Sequence, residues 1–327
     1  MKPARGAKEQ SRRDLLSQAG LAAIILAAGG PLNRVSAHTA PAQSRVRTLR
    51  LVHVTDIHVK PELHAAQGMA ACLRHAQQHA RPDLVLNTGD TIYDSMAAEL
   101  STVHSLWNLS LKVWKDECSI PVEHAIGNHD IWGIDKAQSK TTGREPLYGK
   151  KWIMSLYGWE KPYRSFDRGG WHFIALDSVS PGEGKYTGQI DQEQFAWLES
   201  DLAKVNPTTP ILLFSHIPLL SAAAFFVSEA EKTGNWQIPA SVMLIDARRM
   251  KNLFLKYPNV KLCLSGHLHL VDRVEYLGVT YLCHGAVCGR WWKGKFQECH
   301  PGYGVVDLYS DGTFENRYVA WGWKKQK

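Results

Sequence analysis

Five apolar runs in this chain stop at residue types that bind metal ions, and that recurrence constrains the fold more than any other feature. Leu51-Val52-His53-Val54-Thr55 leads to Asp56-Ile57-His58, and Leu84-Val85-Leu86-Asn87-Thr88 leads to Gly89-Asp90. Val122-Glu123-His124-Ala125-Ile126 leads to Gly127-Asn128-His129-Asp130. Ile211-Leu212-Leu213-Phe214 leads to Ser215-His216, and Lys261-Leu262-Cys263-Leu264 leads to Ser265-Gly266-His267-Leu268-His269. Short β-rich runs of this kind alternate here with helix-like segments, which is the signature of an α/β fold. In an open α/β sheet the loops beyond the carboxyl ends of the strands converge on one crevice. The five strand ends would therefore gather two Asp, an Asn and four or five His.

Between these runs, Ala65 to Ala80 reads as a helix stopped by Arg81-Pro82. Asp191 is a candidate cap for a helix with Phe195, Leu198 and Leu202 on one face, and Asp246 for one carrying Met250, Leu253, Phe254 and Tyr257. The tail, with Val279–Cys283, Gly304–Tyr309 and Phe314–Ala320, reads as antiparallel strands joined by turns such as Asp311-Gly312. The stretches 131–165 and 219–245 are expected to be long loops over a site.

Carboxylate, imidazole and amide oxygen together suit borderline-to-hard ions such as Mn, Fe, Zn, Ni or Co, and no thiolate ends any of the five runs. Glycine precedes Asp90, Asn128 and His267, where the backbone must turn sharply and approach an ion. Seven ligands exceed what one ion with an open position needs and suit two ions that share a carboxylate.

The ordered set Asp-x-His, Gly-Asp, Gly-Asn-His-Asp, His and Gly-His-x-His resembles the calcineurin-like metallophosphoesterase superfamily. It lies nearest the bacterial phosphodiesterase branch, which includes cyclic-nucleotide and glycerophosphodiester hydrolases. Trp197-Leu198 through Phe214-Ser215-His216-Ile217-Pro218 resembles that branch as well. The resemblance implies two mixed β-sheets packed as a sandwich and flanked by helices. It also implies one ion on Asp56, His58, Asp90 and His269 and another on Asp90, Asn128, His216 and His267, with Asp90 bridging. A hydroxide shared by the ions would attack phosphorus, and His129 would assist the leaving oxygen, oriented by Asp130. The implied substrate is a small phosphoester, a phosphodiester rather than a monoester. The rivals are an exported phosphomonoesterase of the purple acid type and a non-catalytic binding protein on the same fold.

Other residues are read against this set. Tyr93 matches the Gly-Asp-x-x-Tyr block of purple acid phosphatases, but His58 already fills the corresponding position, so Tyr93 is expected to pack or support a ligand. Asp94 is read as a solvated or hydrogen-bonding loop residue and not as a ligand. His53, His124 and His172 are expected to be structural, and His284 is not assigned to the site. Trp291-Trp292, beside Arg290, Lys293 and Lys295, could stack a base and hold a phosphate, with a structural role preferred.

The N-terminus carries Arg12-Arg13, an apolar stretch from Ala19 to Ala28 and Val35-Ser36-Ala37. This order resembles a twin-arginine export signal, so residues 1–37 are expected to be removed, 38–48 to be a linker and 49–324 to form the catalytic domain. The export machinery is thus an expected partner and the destination periplasmic or extracellular, with no membrane span in the mature protein. The formal charge is +7. Residues 1–37 hold six basic and two acidic side chains, or +4, which leaves +3 for the rest and no basic stripe for nucleic acid. The six Cys form no Cys-x-x-Cys and leave room for one or two bridges.

Overall fold

The computed structural model of the protein describes residues 45–323. The export signal and most of the linker expected from the sequence lie outside the described residues. Along the chain run β1 (Arg47–Val54), α1 (Ala65–Ala80), β2 (Leu84–Asn87), α2 (Leu100–Glu117), β3 (Val122–His124), α3 (Lys136–Ser139), α4 (Lys151–Tyr157), β4 (Arg164–Arg168) and β5 (Trp171–Ala175). A hairpin of β6 (Val179–Pro181) and β7 (Tyr186–Gly188) precedes α5 (Gln192–Leu202) and β8 (Ile211–Phe214). Then come α6 (Ala230–Thr233), α7 (Ala247–Phe254), β9 (Val260–Ser265), β10 (Asp272–Tyr276), β11 (Val279–Cys283), β12 (Gly302–Tyr309) and β13 (Phe314–Ala320).

Two mixed sheets result, ordered β13-β12-β1-β2-β3 and β10-β11-β9-β8-β5-β4. Alternation along the strands explains how they stack. Leu51, Leu84, Leu86 and Val306 of the first sheet share one core with Phe173, Leu212, Phe214, Leu262 and Leu264 of the second. Their neighbours Val52, Val54, Val85, Ile174, Ile211 and Leu213 point the other way, into the layer shared with the helices. Met69, Cys72, Leu73 and Ala76 line the buried face of α1 at helical spacing. Each fully buried side chain of this kind contributes about 1.5–3 kcal/mol of burial free energy.

Several local expectations change. Asp191 caps α5 through its side chain, which accepts a hydrogen bond from the Gln194 amide at 2.8 Å. Asp246 makes no such bond to α7; its carboxylate accepts from the Ile190 amide instead. The tail does not form one antiparallel set: β11 runs parallel to β9 in the second sheet, while β12 and β13 complete the first. The stretch expected to be a loop over 131–165 contains α3 and α4 and enters β4. None of the six cysteines is in a disulfide. Among the described residues no helix is long and apolar enough to cross a membrane.

Candidate metal centre

Register brings the strand ends level. Val54, Asn87 and His124 pair in line across β1, β2 and β3, and Phe214 pairs with Leu264 across β8 and β9. Asp56, Asp90 and Asn128 follow two, three and four positions beyond the first row. His216 and His267 follow two and three positions beyond the second. The loops continue each other's ladder, with Asp56 N donating to Gly89 O at 3.0 Å, His58 N to Asp90 O at 2.9 Å and Gly266 N to His216 O at 3.1 Å.

Glycine is required here mainly by close approach. A Cβ on Gly127 would sit 2.1 Å from the Asp90 amide nitrogen, and one on Gly266 would sit 1.8 Å from Thr55 Oγ1. Asp56, His58, Asp90, His267 and His269 all have left-handed backbones, with φ of 51°, 47°, 50°, 72° and 57°. Such conformations in residues with a Cβ cost roughly 1–3 kcal/mol each and cluster at functional sites.

All seven side chains meet in two groups. In the first, His58 Nε2 lies 3.9 Å from Asp56 Oδ1 and 3.5 Å from Asp90 Oδ2, and His269 Nε2 lies 3.3 Å from Asp56 Oδ1. In the second, His216 Nε2 lies 3.3 Å from Asp90 Oδ2, 3.0 Å from Asn128 Oδ1 and 3.2 Å from His267 Nδ1. Asp90 Oδ2 belongs to both. Asp56 Oδ1 and His58 Nε2 are buried without any hydrogen-bond partner. Two polar atoms left unsatisfied in the interior, facing each other, are what a cation between them would satisfy.

The remaining atoms of these side chains are already engaged. Asp56 Oδ2 accepts from Thr55 Oγ1 at 2.7 Å and from the His267 amide at 2.8 Å, and Asp90 Oδ1 accepts from the His129 amide at 2.8 Å. Each histidine turns its other nitrogen to a backbone carbonyl: His58 to Tyr93, His216 to Thr88, His267 to Ser241 and His269 to Gly289. Bonds of this kind fix the tautomer and aim the free nitrogen inward.

Carboxylates and imidazoles face each other in both groups. Burial would raise Asp56 and Asp90, but His269 and His216 hold both well below the ordinary carboxylate range. His216 rises to about 9 against the cost of burial because Asp90 faces it. Burial lowers His58 to about 3 and His267 to about 4, so these stay neutral and able to ligate.

His129 stands at the rim, its ring 4.9 Å from that of His58. Its Nδ1 lies 3.3 Å from Asp94 Oδ1, and Asp94 also accepts from the Met96 amide. Asp130 does not orient His129, contrary to the sequence expectation. Its carboxylate is buried and accepts from the amides of Thr91 and Gly127 at 2.9 and 3.0 Å, bracing two ligand loops. Those amides oblige Asp130 to face the backbone, which leaves Asp94 to reach the ring.

Tyr93 supplies its carbonyl to His58, while its ring lies under Lys60 Nζ at 3.9 Å. His53 and His284 pair in the core at 2.7 Å, His124 stacks on Tyr157, and His172 bridges Asp167 and Asp201. Residue-type patterning had not singled out Cys288, which brings a thiol within 4.8 Å of the ligand atoms of His58 and His269. It lies five residues past the end of β11, too far from a strand terminus to read as a ligand position. Trp291 and Trp292 divide the roles considered for them. Trp292 is buried, and Trp291 lies 3.8 Å from the His58 ring.

A fold of two stacked mixed sheets with histidine and carboxylate clusters at the strand ends defines a metallophosphoesterase scaffold. The chain belongs to the calcineurin-like phosphoesterase family, whose pattern matches residues 49–271. It is 27% identical over 282 residues to a 3',5'-cyclic-nucleotide phosphodiesterase of Nostoc sp. (strain PCC 7120 / SAG 25.82 / UTEX 2576), covering 82% of this chain and 91% of the relative. It is 23% identical over 287 residues to the 3',5'-cyclic adenosine monophosphate phosphodiesterase CpdA of Escherichia coli (strain K12), covering 84% of this chain and 90% of that one. A dimetal phosphatase from Danio rerio shares the fold, with a TM-score of 0.59 at 14% identity, covering 85% of this chain and all of the other.

Proposed function

We propose that the protein is a dinuclear-metal-dependent phosphodiesterase. The reading is carried by the two ligand groups that share Asp90 Oδ2, with Asp56 Oδ1 and His58 Nε2 of the first group buried without a hydrogen bond. Asp56, His58, Asp90 and His269 would hold one ion and Asp90, Asn128, His216 and His267 the other. Bound ions would supply Lewis acidity, neutralising phosphoryl oxygens and making water a stronger nucleophile. The chain supplies the rest. Asp94 fixes His129 through Nδ1, so Nε2 is the nitrogen available to the departing group. Water oxygen forms the new bond to phosphorus as the ester P–O bond breaks, His129 gives its proton to the departing oxygen, and the proton lost by the water passes to solvent, from which His129 is reprotonated. The names of the Nostoc and Escherichia coli relatives support a diester over a monoester.

Purified protein loaded with Mn is expected to hydrolyse bis-p-nitrophenyl phosphate in preference to p-nitrophenyl phosphate. Asn128→Ala and His216→Ala should lose metal and turnover together. His129→Ala should keep its metal and lose about 10²–10⁴-fold in kcat. Full activity after exhaustive chelation would end the proposal. Export belongs to the same reading, and mature protein recovered outside the cytoplasm should begin at His38.

A further inference from the structure

A cavity of about 450 Å³ opens beside His129, and Arg290, Lys293 and Lys60 line it together with Tyr93, Trp291 and Phe296. Its single carboxylate is Asp94, which is hydrogen-bonded to His129. Among the described residues no ion pair joins Lys60, Arg290 or Lys293 to a carboxylate, and Lys60 rests on the Tyr93 ring. Three positive side chains therefore face one negative side chain in a space lined by His129 and Trp291, whose rings lie 4.9 and 3.8 Å from that of His58.

The segment that carries two of these cations is held in place. Trp292 Nε1 donates to the carbonyl of His58 at 3.0 Å, and its ring packs 5.2 Å from Trp323. A Cβ on Gly68 of α1 would come 2.2 Å from the Trp292 ring, so the helix accepts the indole only at glycine. Arg290 N donates to Gly294 O and Lys293 N to Arg290 O, both at 2.8 Å, closing a turn in which Trp291 and Trp292 have φ of 50° and 66°. Anchoring Trp292 inward leaves Trp291 over His58 and 5.1 Å from the His129 ring.

A 3',5'-cyclic mononucleotide carries one negative charge, on the phosphate that reacts. The cations beside His129 would have no anion to meet. We propose that this cavity is a subsite for a second phosphate on the leaving-group side of a nucleotide substrate, with Arg290 and Lys293 binding that phosphate and Trp291 stacking on the adjoining base or sugar. The substrate class is then a nucleotide with two linked phosphates. Guanidinium matches phosphate oxygens bidentately, and an aromatic face accepts any base. The inference rests on the phosphodiesterase reading for where the reacting phosphate lies.

The test compares ADP-ribose, 3',5'-cyclic AMP and bis-p-nitrophenyl phosphate on the Mn-loaded protein, and ADP with AMP by calorimetry. ADP-ribose should exceed cyclic AMP in kcat/KM by about tenfold or more, and ADP should bind about tenfold tighter than AMP. Arg290→Ala combined with Lys293→Ala should erase both preferences, through KM for the hydrolysis. Trp291→Ala should weaken every nucleotide, with Trp291→Phe restoring part of the loss. Equal handling of ADP-ribose and cyclic AMP, or an ADP preference untouched in the double variant, would overturn the assignment. Failure to hydrolyse bis-p-nitrophenyl phosphate would instead remove the hydrolase reading, and the calorimetric comparison would still decide the subsite.

Discussion

His129 can hand over a proton from one ring nitrogen only while the other is held, and the group that holds it arrives from a different strand end. Asp94, four residues past Asp90, reaches across to His129 Nδ1, and together with Asp90 it raises the histidine above its ordinary value although burial opposes this. Asp130, next to His129 in sequence, is tied to the amides of Thr91 and Gly127. The two carboxylates should therefore fail differently when neutralised. Asp94→Asn is expected to lower kcat by about 10–100-fold, with metal content and melting temperature unchanged and the alkaline limb of the pH profile displaced to lower pH. Asp130→Asn should lower melting temperature and bound metal together. Metal analysis beside the pH profile separates them, and a fall in bound metal in Asp94→Asn would count against its positioning role.

At the scale of elements, β5 is fastened to its neighbours by His172, whose ring lies 2.7 Å from Asp167 of β4 and 3.0 Å from Asp201 of α5. Burial works against its charge, but the bonds to Asp201 and Asp167 prevail and raise it above the ordinary histidine value. A raised folded value means that the stabilisation is complete below the unfolded value and is lost as pH climbs through the folded one. His172→Asn should thus cost about 1 kcal/mol below about pH 6, discounted for the exposure of Asp167, and markedly less in more alkaline solution. Denaturant melts of both proteins across that range check the sign. Such clasps are invisible in a linear reading because their partners lie on other elements. The ligands themselves were legible, since each follows an apolar strand at short range. α2 was not, because its Val103, Leu106, Trp107, Val113 and Trp114 face is broken by polar residues and no side chain caps its start. Asp94 is the hydrogen-bonding loop residue expected, but that its partner is His129 is fixed by the fold and not by spacing. Sheet membership of the tail was equally hidden, as β11 and β12 are both apolar and only pairing assigns them.

For the whole molecule, the centre lies where the two sheets come together. Asp56, Asp90 and Asn128 follow strands of the first sheet, and His216, His267 and His269 follow strands of the second. Ions held by both sets would cross-brace the sandwich in addition to its shared apolar core. Metal saturation at about a hundred times the dissociation constant adds roughly 2.7 kcal/mol, so chelation should lower the melting temperature by roughly 5–10 °C and Mn should restore it. A melting temperature indifferent to chelator and to added Mn would show that the sheets do not need the ions to stay together.

The adjacent tryptophans have a consequence for how such a chain diversifies. Trp292 packs into the interior and Trp291 lines the opening, so the root and the tip of one short tether meet different physical demands. A substitution at the tip would reshape the opening while the Trp292 anchor on His58 and Gly68 keeps the tether in place.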